Sequence, residues 1–180
     1  LEVTGSGTDG DGDILTYNLE QHDLCDASAP GTDNGNGPIF RSLDPSTAPI
    51  RTLPLLSTLI SNSNPPTGSV LPSTNRSLNF RLTVRDGNGA VTSDDAQHTV
   101  TTTAGPFAVT SQSGSTNWPK STNKTIPWNV ANTNNAPISC ATVDILFSTD
   151  NGSTFATTIV EGTSNDGTQS VSIPNVDTSQ

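Results

Sequence analysis

The stretch that most constrains the fold of this chain is SLNFRLTVRDGNGAVTS, residues 77–93. Apolar and polar residues alternate strictly in its first half, which is the pattern of a β-strand with one buried and one solvated face. The apolar positions are Leu78, Phe80, Leu82 and Val84. DGNG at 86–89 follows, and glycine and asparagine tolerate the positive φ of a tight hairpin turn. The stretch therefore predicts a strand and a hairpin, with AQHTVTTT at 96–103 as the return strand.

Similar alternation predicts a strand at ILTYNLEQ, residues 14–21, and five more strands after Gly105. The five segments are PFAVTS (106–111), KTIPWNV (124–130), ATVDILFST (141–149), TFATTIVEG (154–162) and SVSIP (170–174). Short strands separated by turn residues at this spacing are typical of an immunoglobulin-like or fibronectin-like sandwich. The expected core residues of this unit are Trp118, Trp128, Phe107, Phe147 and Phe155.

The region between the two sets of strands is irregular. Residues 26–75 are rich in Pro, Gly, Asn and Ser, and only 53–60 has the pattern of a short helix. We therefore predict an all-β protein of two tandem immunoglobulin-like antiparallel β-sandwiches. The first domain is expected at 1–104, with a long irregular insertion at about 26–75, and the second at 105–180, without its last strand.

Composition narrows the class of function. The chain has 17 acidic and 7 basic residues and a net charge of −10, which repels a nucleic acid backbone and attracts divalent cations. Hydrophobic residues make up 30% of the sequence, and no apolar run approaches the ~18 residues of a membrane span. We expect neither nucleic acid nor a membrane as a partner. Cys25 and Cys140 are far apart, and the sequence leaves open whether they are paired or free.

Catalytic motifs are missing from the sequence. The two histidines, His22 and His98, belong to no H-E-x-x-H sequence, and there is no G-x-S-x-G. His22 and Cys25 are three positions apart near a predicted strand end, where side chains at this spacing face opposite sides. The sequence therefore predicts a segment that is not an enzyme.

The loop GSGTDGDGD, residues 5–13, is the strongest candidate for a binding site. Its beginning matches the G-x-G-x-x-G pattern of a dinucleotide-binding loop, but a strand follows where that loop needs a helix. The D-x-D-x-D pattern matches the start of an EF-hand, yet Ile14 stands where that loop requires glycine. Neither motif is therefore complete.

The carboxylates of this loop still offer the hard oxygen ligands that Ca²⁺ prefers. They belong to Asp9, Asp11 and Asp13. Asp86, in the predicted hairpin turn, is the expected fourth ligand because loops at one pole of a sandwich approach each other. Other candidates are Glu20, Asp23, Asp94 and Asp95. The alternative is a solvated acidic turn, because Asp and Gly are common turn residues.

STDNGSTF, residues 148–155, fits the S-x-D-x-G-x-T-[W/F] pattern of an Asp-box. The residues of the pattern are Ser148, Asp150, Gly152, Thr154 and Phe155. In such a hairpin the aspartate caps backbone groups, the glycine supplies a positive φ and the aromatic ring packs beneath. We interpret it as a structural turn, with ligand binding by Asp150 as the alternative.

Several blocks, taken in order, resemble one protein family. They are LEVTGSGTDGDGDILTYNLEQHD, GPIFRSLDPS, LPSTNRSLNFRLTVRDGNG, AGPFAVTSQSG, TIPWNVANTNNAPISCATVDILFSTDNGSTF and NDGTQSVSIPN. Together they resemble the ancillary region that follows the catalytic domain in secreted bacterial reprolysin-like zinc metalloproteases. The first block also resembles the A-T-D-x-D-G-D-x-L-T-Y opening of cadherin-like repeats. In those repeats, carboxylates at the positions of Asp9, Asp11 and Asp13 lie near calcium.

The resemblance implies a cadherin-like or PKD-like sandwich followed by an immunoglobulin-like or fibronectin-III-like module, in a secreted protein. The catalytic zinc of the family lies upstream, so no zinc is expected in this segment. The implied function is a calcium-stabilised accessory segment that positions or targets the parent catalytic domain, through contacts with a protein or polysaccharide matrix. The alternative is a stand-alone extracellular adhesive or carbohydrate-binding module.

Overall fold

The computed structural model describes residues 1–26, 29, 31–61, 67–111 and 117–176. Within them the protein is mostly β, with one short helix and several small antiparallel sheets. In chain order the elements are β1 (Glu2–Thr4), β2 (Thr16–Gln21), β3 (Ile50–Thr52), α1 (Leu56–Ser61), β4 (Arg76–Arg85), β5 (Val91–Val100), β6 (Ala108–Val109), β7 (Asn123–Asn129), β8 (Thr142–Phe147), β9 (Thr157–Ser164) and β10 (Thr168–Ser172). The chain forms two compact units, Leu1–Thr102 and Thr103–Gln180, called unit 1 and unit 2 below.

The main sheet of unit 1 has the strand order β2-β4-β5, with all pairs antiparallel. The alternation predicted for β4 is present, because Leu78, Phe80 and Val84 are buried while Ser77 and Arg81 are exposed. The hairpin pairs Arg85 with Val91, so β5 begins five positions before the predicted return strand. The predicted start was wrong because cross-strand pairing continues through polar residues that lack an apolar alternation.

A second, two-stranded sheet pairs β1 with β3. The region predicted to be a long irregular insertion contributes β3, helix α1 and several core residues. The core cluster of unit 1 consists of Leu19, Ile39, Phe40, Leu53, Leu78 and Phe80. Ile39, Phe40 and Leu53 come from the irregular region, so this region completes the core of the unit and does not merely connect strands. The short helix, Leu56–Ser61, overlaps the predicted segment 53–60 and ends one residue after it.

Unit 2 contains a strand within each of the five predicted segments or overlapping it. They form a three-stranded sheet of order β10-β7-β6 and a two-stranded sheet of β8 and β9. No sandwich is established by these small sheets within the described residues, so the immunoglobulin-like arrangement stays a prediction.

The predicted core of unit 2 was partly wrong. Its buried apolar residues are Trp128, Val171 and Ile173. Phe107 is 42% exposed and Phe155 is 38% exposed, and Trp118 and Phe147 are only half-buried. Phe107 lies just before the two-residue strand β6, outside the paired part of the sheet, and its ring centroid is 6.5 Å from that of Trp128. Phe155 lies in the turn before β9, outside any strand.

Both cysteines are free and exposed: Cys25 in unit 1 and Cys140 in unit 2. The described residues include no helix long and apolar enough to cross a membrane.

Candidate metal centre in unit 1

The hairpin turn between β4 and β5 holds Asp86 in a fixed orientation. One carboxylate oxygen, Oδ1, accepts hydrogen bonds from the backbone N–H groups of Asn88 at 2.8 Å, Gly89 at 3.0 Å and Ala90 at 3.0 Å. Gly87 and Gly89 have φ values of 79° and 119°, which residues with a side chain rarely adopt. The sequence DGNG therefore folds the turn around the carboxylate of its own first residue, Asp86.

The loop before β2 is arranged around Asp9 in a similar way. Asp9 Oδ1 accepts hydrogen bonds from the backbone N–H groups of Asp13 and Asp11, both at 2.9 Å. These bonds stabilise the ionised carboxylate and lower the pKa of Asp9 below its ordinary value. The loop thus keeps a negative charge at its centre.

The strand register brings these two loops together. Thr16, at the start of β2, lies opposite Arg85, at the end of β4. The loop that precedes β2 and the turn that follows β4 therefore meet at the same end of these two strands. Oxygen atoms of Asp9, Asp13 and Asp86 all lie within 4.8 Å of one another. Asn88 adds a link across the gap, because its Nδ2 donates to Asp13 Oδ2 at 2.7 Å. We call these three aspartates the acidic cluster.

Each carboxylate of the acidic cluster is used on one oxygen only. Asp9 and Asp86 accept hydrogen bonds through Oδ1, and Asp13 accepts one through Oδ2. The structure gives no hydrogen bond from the described residues to the second oxygen of any of the three. Three like charges at this separation repel one another, and a bound cation would remove that repulsion.

The donor set of the cluster fits a hard cation. It contains only carboxylate oxygens, with neither histidine nor cysteine among the grouped side chains. Oxygen ligands suit Ca²⁺, whereas a structural zinc site usually includes His or Cys. Ca²⁺ takes six to eight oxygens, so the three side chains would supply part of its coordination, and water and backbone carbonyls the rest.

Asp11 is not part of the acidic cluster. It is exposed, and its backbone N–H donates to Asp9 Oδ1, but its carboxylate is not among the three that converge. Of the expected ligands Asp9, Asp11, Asp13 and Asp86, the structure therefore brings three together. Gly12, which follows Asp11, has a φ of 85°, so the loop turns between Asp11 and Asp13.

The other acidic candidates have different partners. Asp95 forms a double hydrogen bond with Arg81, at 2.7 and 2.8 Å, on the outer face of the sheet. Asp23 accepts hydrogen bonds from Asn79, and its carboxylate lies 3.6 Å from Arg76. Glu20 accepts a hydrogen bond from Ser42. None of them belongs to the acidic cluster within the described part of the chain.

In unit 2, the residues of the Asp-box pattern form a closed turn. Asp150 accepts hydrogen bonds from the hydroxyl and the N–H of Thr154, at 2.6 and 2.8 Å, and from the hydroxyl of Ser148 at 2.7 Å. These bonds lower the pKa of Asp150 to about 2. Gly152 has a φ of 79° and donates its N–H to Ser148 Oγ. The carboxylate is engaged by its own turn, but Phe155 is too exposed to pack firmly beneath it.

Two polar centres were missed by the sequence reasoning. The first joins Asp33 and Arg76, whose side chains are each only 1% exposed, through a bond of 2.7 Å. Asp33 also accepts the N–H groups of Gly35, Ser73 and Thr74. Asp33 lies in a Gly- and Asn-rich turn, and no local pattern distinguishes it from solvated turn residues.

The second missed centre is Asn165 in unit 2, which is 3% exposed. Its Oδ1 accepts a hydrogen bond from Trp128 Nε1 at 2.9 Å, and its Nδ2 donates to Thr133 Oγ1 and to the carbonyl of Cys140, both at 3.0 Å. Asn165 belongs to the sequence SNDG, whose Asn, Asp and Gly are common turn residues and give no sign of burial. The amide instead joins three separate segments of unit 2.

Each of the two histidines contacts a residue of unit 1. His98 packs edge-on against Phe80, with ring centroids 5.9 Å apart, and His22 Nε2 lies 3.9 Å from Asp95. The absence of enzyme activity stays a prediction.

Comparison of the chain with protein-family models, with curated proteins and with solved structures gave no significant match.

Proposed function

We propose that unit 1 is a non-catalytic β module in which a calcium ion joins the loop before β2 to the β4–β5 turn. The observation that carries the proposal is the convergence of Asp9 and Asp13 with Asp86, which is distant from them in the sequence. Hydrogen bonds to one oxygen of each carboxylate hold the three groups in place before an ion arrives, which lowers the cost of ordering them on binding. The calcium ion would neutralise the cluster and link the loop at 9–13 to the β4–β5 turn.

The larger role we propose is that of an accessory segment in a secreted bacterial metalloprotease. The order of sequence blocks described above supports this role. The acidic composition supports it too, because carboxylates are ligands for Ca²⁺, which extracellular modules bind with a Kd of about 10⁻⁴–10⁻³ M. The two units would position or target the catalytic domain through contacts with a protein or polysaccharide matrix. Calcium would keep unit 1 rigid enough to do so.

Thermal unfolding with calcium and with chelator tests the calcium proposal. The only tyrosine, Tyr17, is in unit 1, whereas both tryptophans, Trp118 and Trp128, are in unit 2. Calcium at about ten times its Kd should stabilise unit 1 by about 1.4 kcal/mol and raise its Tm by roughly 5–10 °C. Tyrosine fluorescence follows the unfolding of unit 1. The Tm of unit 2, followed by tryptophan fluorescence, should be nearly the same in calcium and in chelator. Identical unit 1 transitions in calcium and in chelator, with no calcium found by metal analysis, would contradict the proposal.

The accessory role needs its own test. Sequencing the gene upstream of this segment should reveal an H-E-x-x-H motif in the same reading frame. If the upstream sequence encodes no metalloprotease and the chain is retained on polysaccharide resins, the stand-alone carbohydrate-binding alternative is favoured instead.

A further inference from the structure

Unit 1 contains a cleft of about 290 Å³ that the acidic cluster does not use. It lies between the β1–β3 sheet and the strands β2, β4 and β5. Its apolar lining is formed by Val3, Leu19, Leu43, Ile50 and Leu82. Leu82 lies against Gly5, where an added Cβ would come within 2.4 Å of its Cδ2, so this glycine leaves room for the leucine beside the cleft.

Strand β5 forms one side of the cleft and is an edge strand. It pairs with β4 over its whole length, and the described residues provide no strand on its other side. The N–H of Asp95 donates to Asp94 Oδ1 at 2.9 Å. The other N–H and C=O groups that point away from β4 along these ten residues are available to a further strand. Asp94 lies directly opposite Leu82, and Ala96 opposite Phe80, so both side chains are on the face of the sheet that contains the cleft.

The cleft is lined by more acidic than basic side chains. Its acidic residues are Asp44, Asp94 and Asp95. Asp95 is paired with Arg81, but the ion pairs of the described residues include neither Asp44 nor Asp94, and both are exposed. The one cation in the lining, Arg51, donates to the backbone carbonyls of Leu19 and Arg41 and forms no ion pair with a carboxylate. The carboxylates of Asp44 and Asp94 therefore lie beside the apolar lining of the cleft, and neither is paired with a cation of the described residues.

We propose that β5 and this cleft form a docking surface for an extended, basic segment of another polypeptide. The segment pairs with the free edge of β5, as in other cases of β-strand addition. A lysine or arginine that lies opposite Asp94 then shares its face of the sheet. The basic side chain then lies beside Asp94 on the cleft side of the sheet, with its charged end towards Asp94 and the cleft that Asp44 also lines. A second copy of this chain is a poor occupant, because antiparallel self-pairing centred on Asp94 and Asp95 brings like charges together.

Binding of matched peptides to the full chain tests this proposal. The probe is a short blocked peptide of alternating valine and threonine with one central lysine, and the matched peptides carry norleucine or glutamate at that position. Norleucine keeps the apolar chain and removes the charge. We expect the lysine peptide to bind best and the glutamate peptide worst. Amide hydrogen exchange should slow along β5 when the lysine peptide is bound.

Two variants and one control locate the contact. Asp94→Asn and Asp44→Asn each remove one charge and should weaken binding of the lysine peptide by about three- to fivefold, the effect of a partly exposed ion pair. Asp26→Asn makes the same change in unit 1 outside the cleft and should leave the affinity unchanged. Equal binding of the three peptides, or equal effects of all three substitutions, would overturn the proposal. So would an absence of binding to the unmodified protein together with self-association of Asp94→Asn, which would show that Asp94 only blocks the edge.

Discussion

Asp13 and Asn88 are joined by a hydrogen bond of 2.7 Å although 75 positions separate them in the chain. The bond connects the loop before β2 to the turn after β4. It brings the carboxylate of Asp13 beside that of Asp86 and so assembles the acidic cluster from two distant segments. The candidate metal centre therefore depends on the register between β2 and β4, which sets the two loops side by side.

Asp13→Asn is the most informative change in the acidic cluster. It removes one of three like charges and keeps an oxygen that can accept the hydrogen bond from Asn88. Without calcium, we expect the variant to be at least as stable as the unmodified protein, because repulsion falls. With millimolar calcium, it should be less stable, because a ligand charge is lost. Calorimetry in calcium and in chelator measures both effects.

Asp11→Asn is the matched control for that experiment. It makes the same chemical change two positions away, at a side chain outside the cluster. It should leave the calcium-dependent increase in Tm unchanged. If Asp11→Asn and Asp13→Asn reduce the calcium effect equally, the loop acts as a diffuse negative charge and not as a site with defined ligands.

Asp33→Ala should strongly destabilise unit 1. The change leaves Arg76 buried and without its closest charge partner, and removes the acceptor for the N–H groups of Ser73 and Thr74. Breaking a buried ion pair on one side costs about 3–5 kcal/mol. Urea unfolding followed by far-ultraviolet circular dichroism measures the loss. Asp95→Ala, which breaks the exposed pair with Arg81, is the control and should change the midpoint little.

Acid should weaken unit 1 through Asp33. Burial opposes the ionisation of this carboxyl, but the N–H groups of Ser73 and Gly35, with Arg76 and Thr74, lower its pKa from 3.8 to about 2. A lowered folded-state pKa gives stability that is fully present above pH 4 and is lost as the pH falls towards 2. The free energy of unfolding should therefore decrease over that interval. Asp33→Asn should have a flatter acid limb, and an unchanged slope would contradict the assignment.

Asn165→Asp should destabilise unit 2 while leaving unit 1 intact. The new carboxylate still accepts from Trp128 Nε1, but it cannot donate to Thr133 Oγ1 or to the carbonyl of Cys140. A buried group left without its partner costs about 1–3 kcal/mol, and more when it is charged. Tryptophan fluorescence during urea unfolding reports the change. Asn175→Asp, at an exposed position, should have little effect.

Local sequence patterns predicted most of the secondary structure. The alternation along β4, the hairpin at 86–89 and the short helix near Leu56 depend on neighbouring residues, because side-chain period and turn conformation are set within a few positions. The five strands of unit 2 were located for the same reason. The partners of these strands, and hence which aromatic residues are covered, were not determined locally. Phe107 and Phe155 were therefore wrongly expected in the core.

The sequence by itself determined that this protein is β-rich and acidic, with a carboxylate loop near its beginning and a tight turn around Asp86. Only the tertiary structure decided that Asp13 joins the acidic cluster while Asp11 does not, and that Asp33 and Asn165 are buried hydrogen-bonding centres. The physical reason is the range of the interactions. Alternation and turn formation act between near neighbours, whereas charge convergence and burial depend on strand register and on contacts between residues that are distant in the chain.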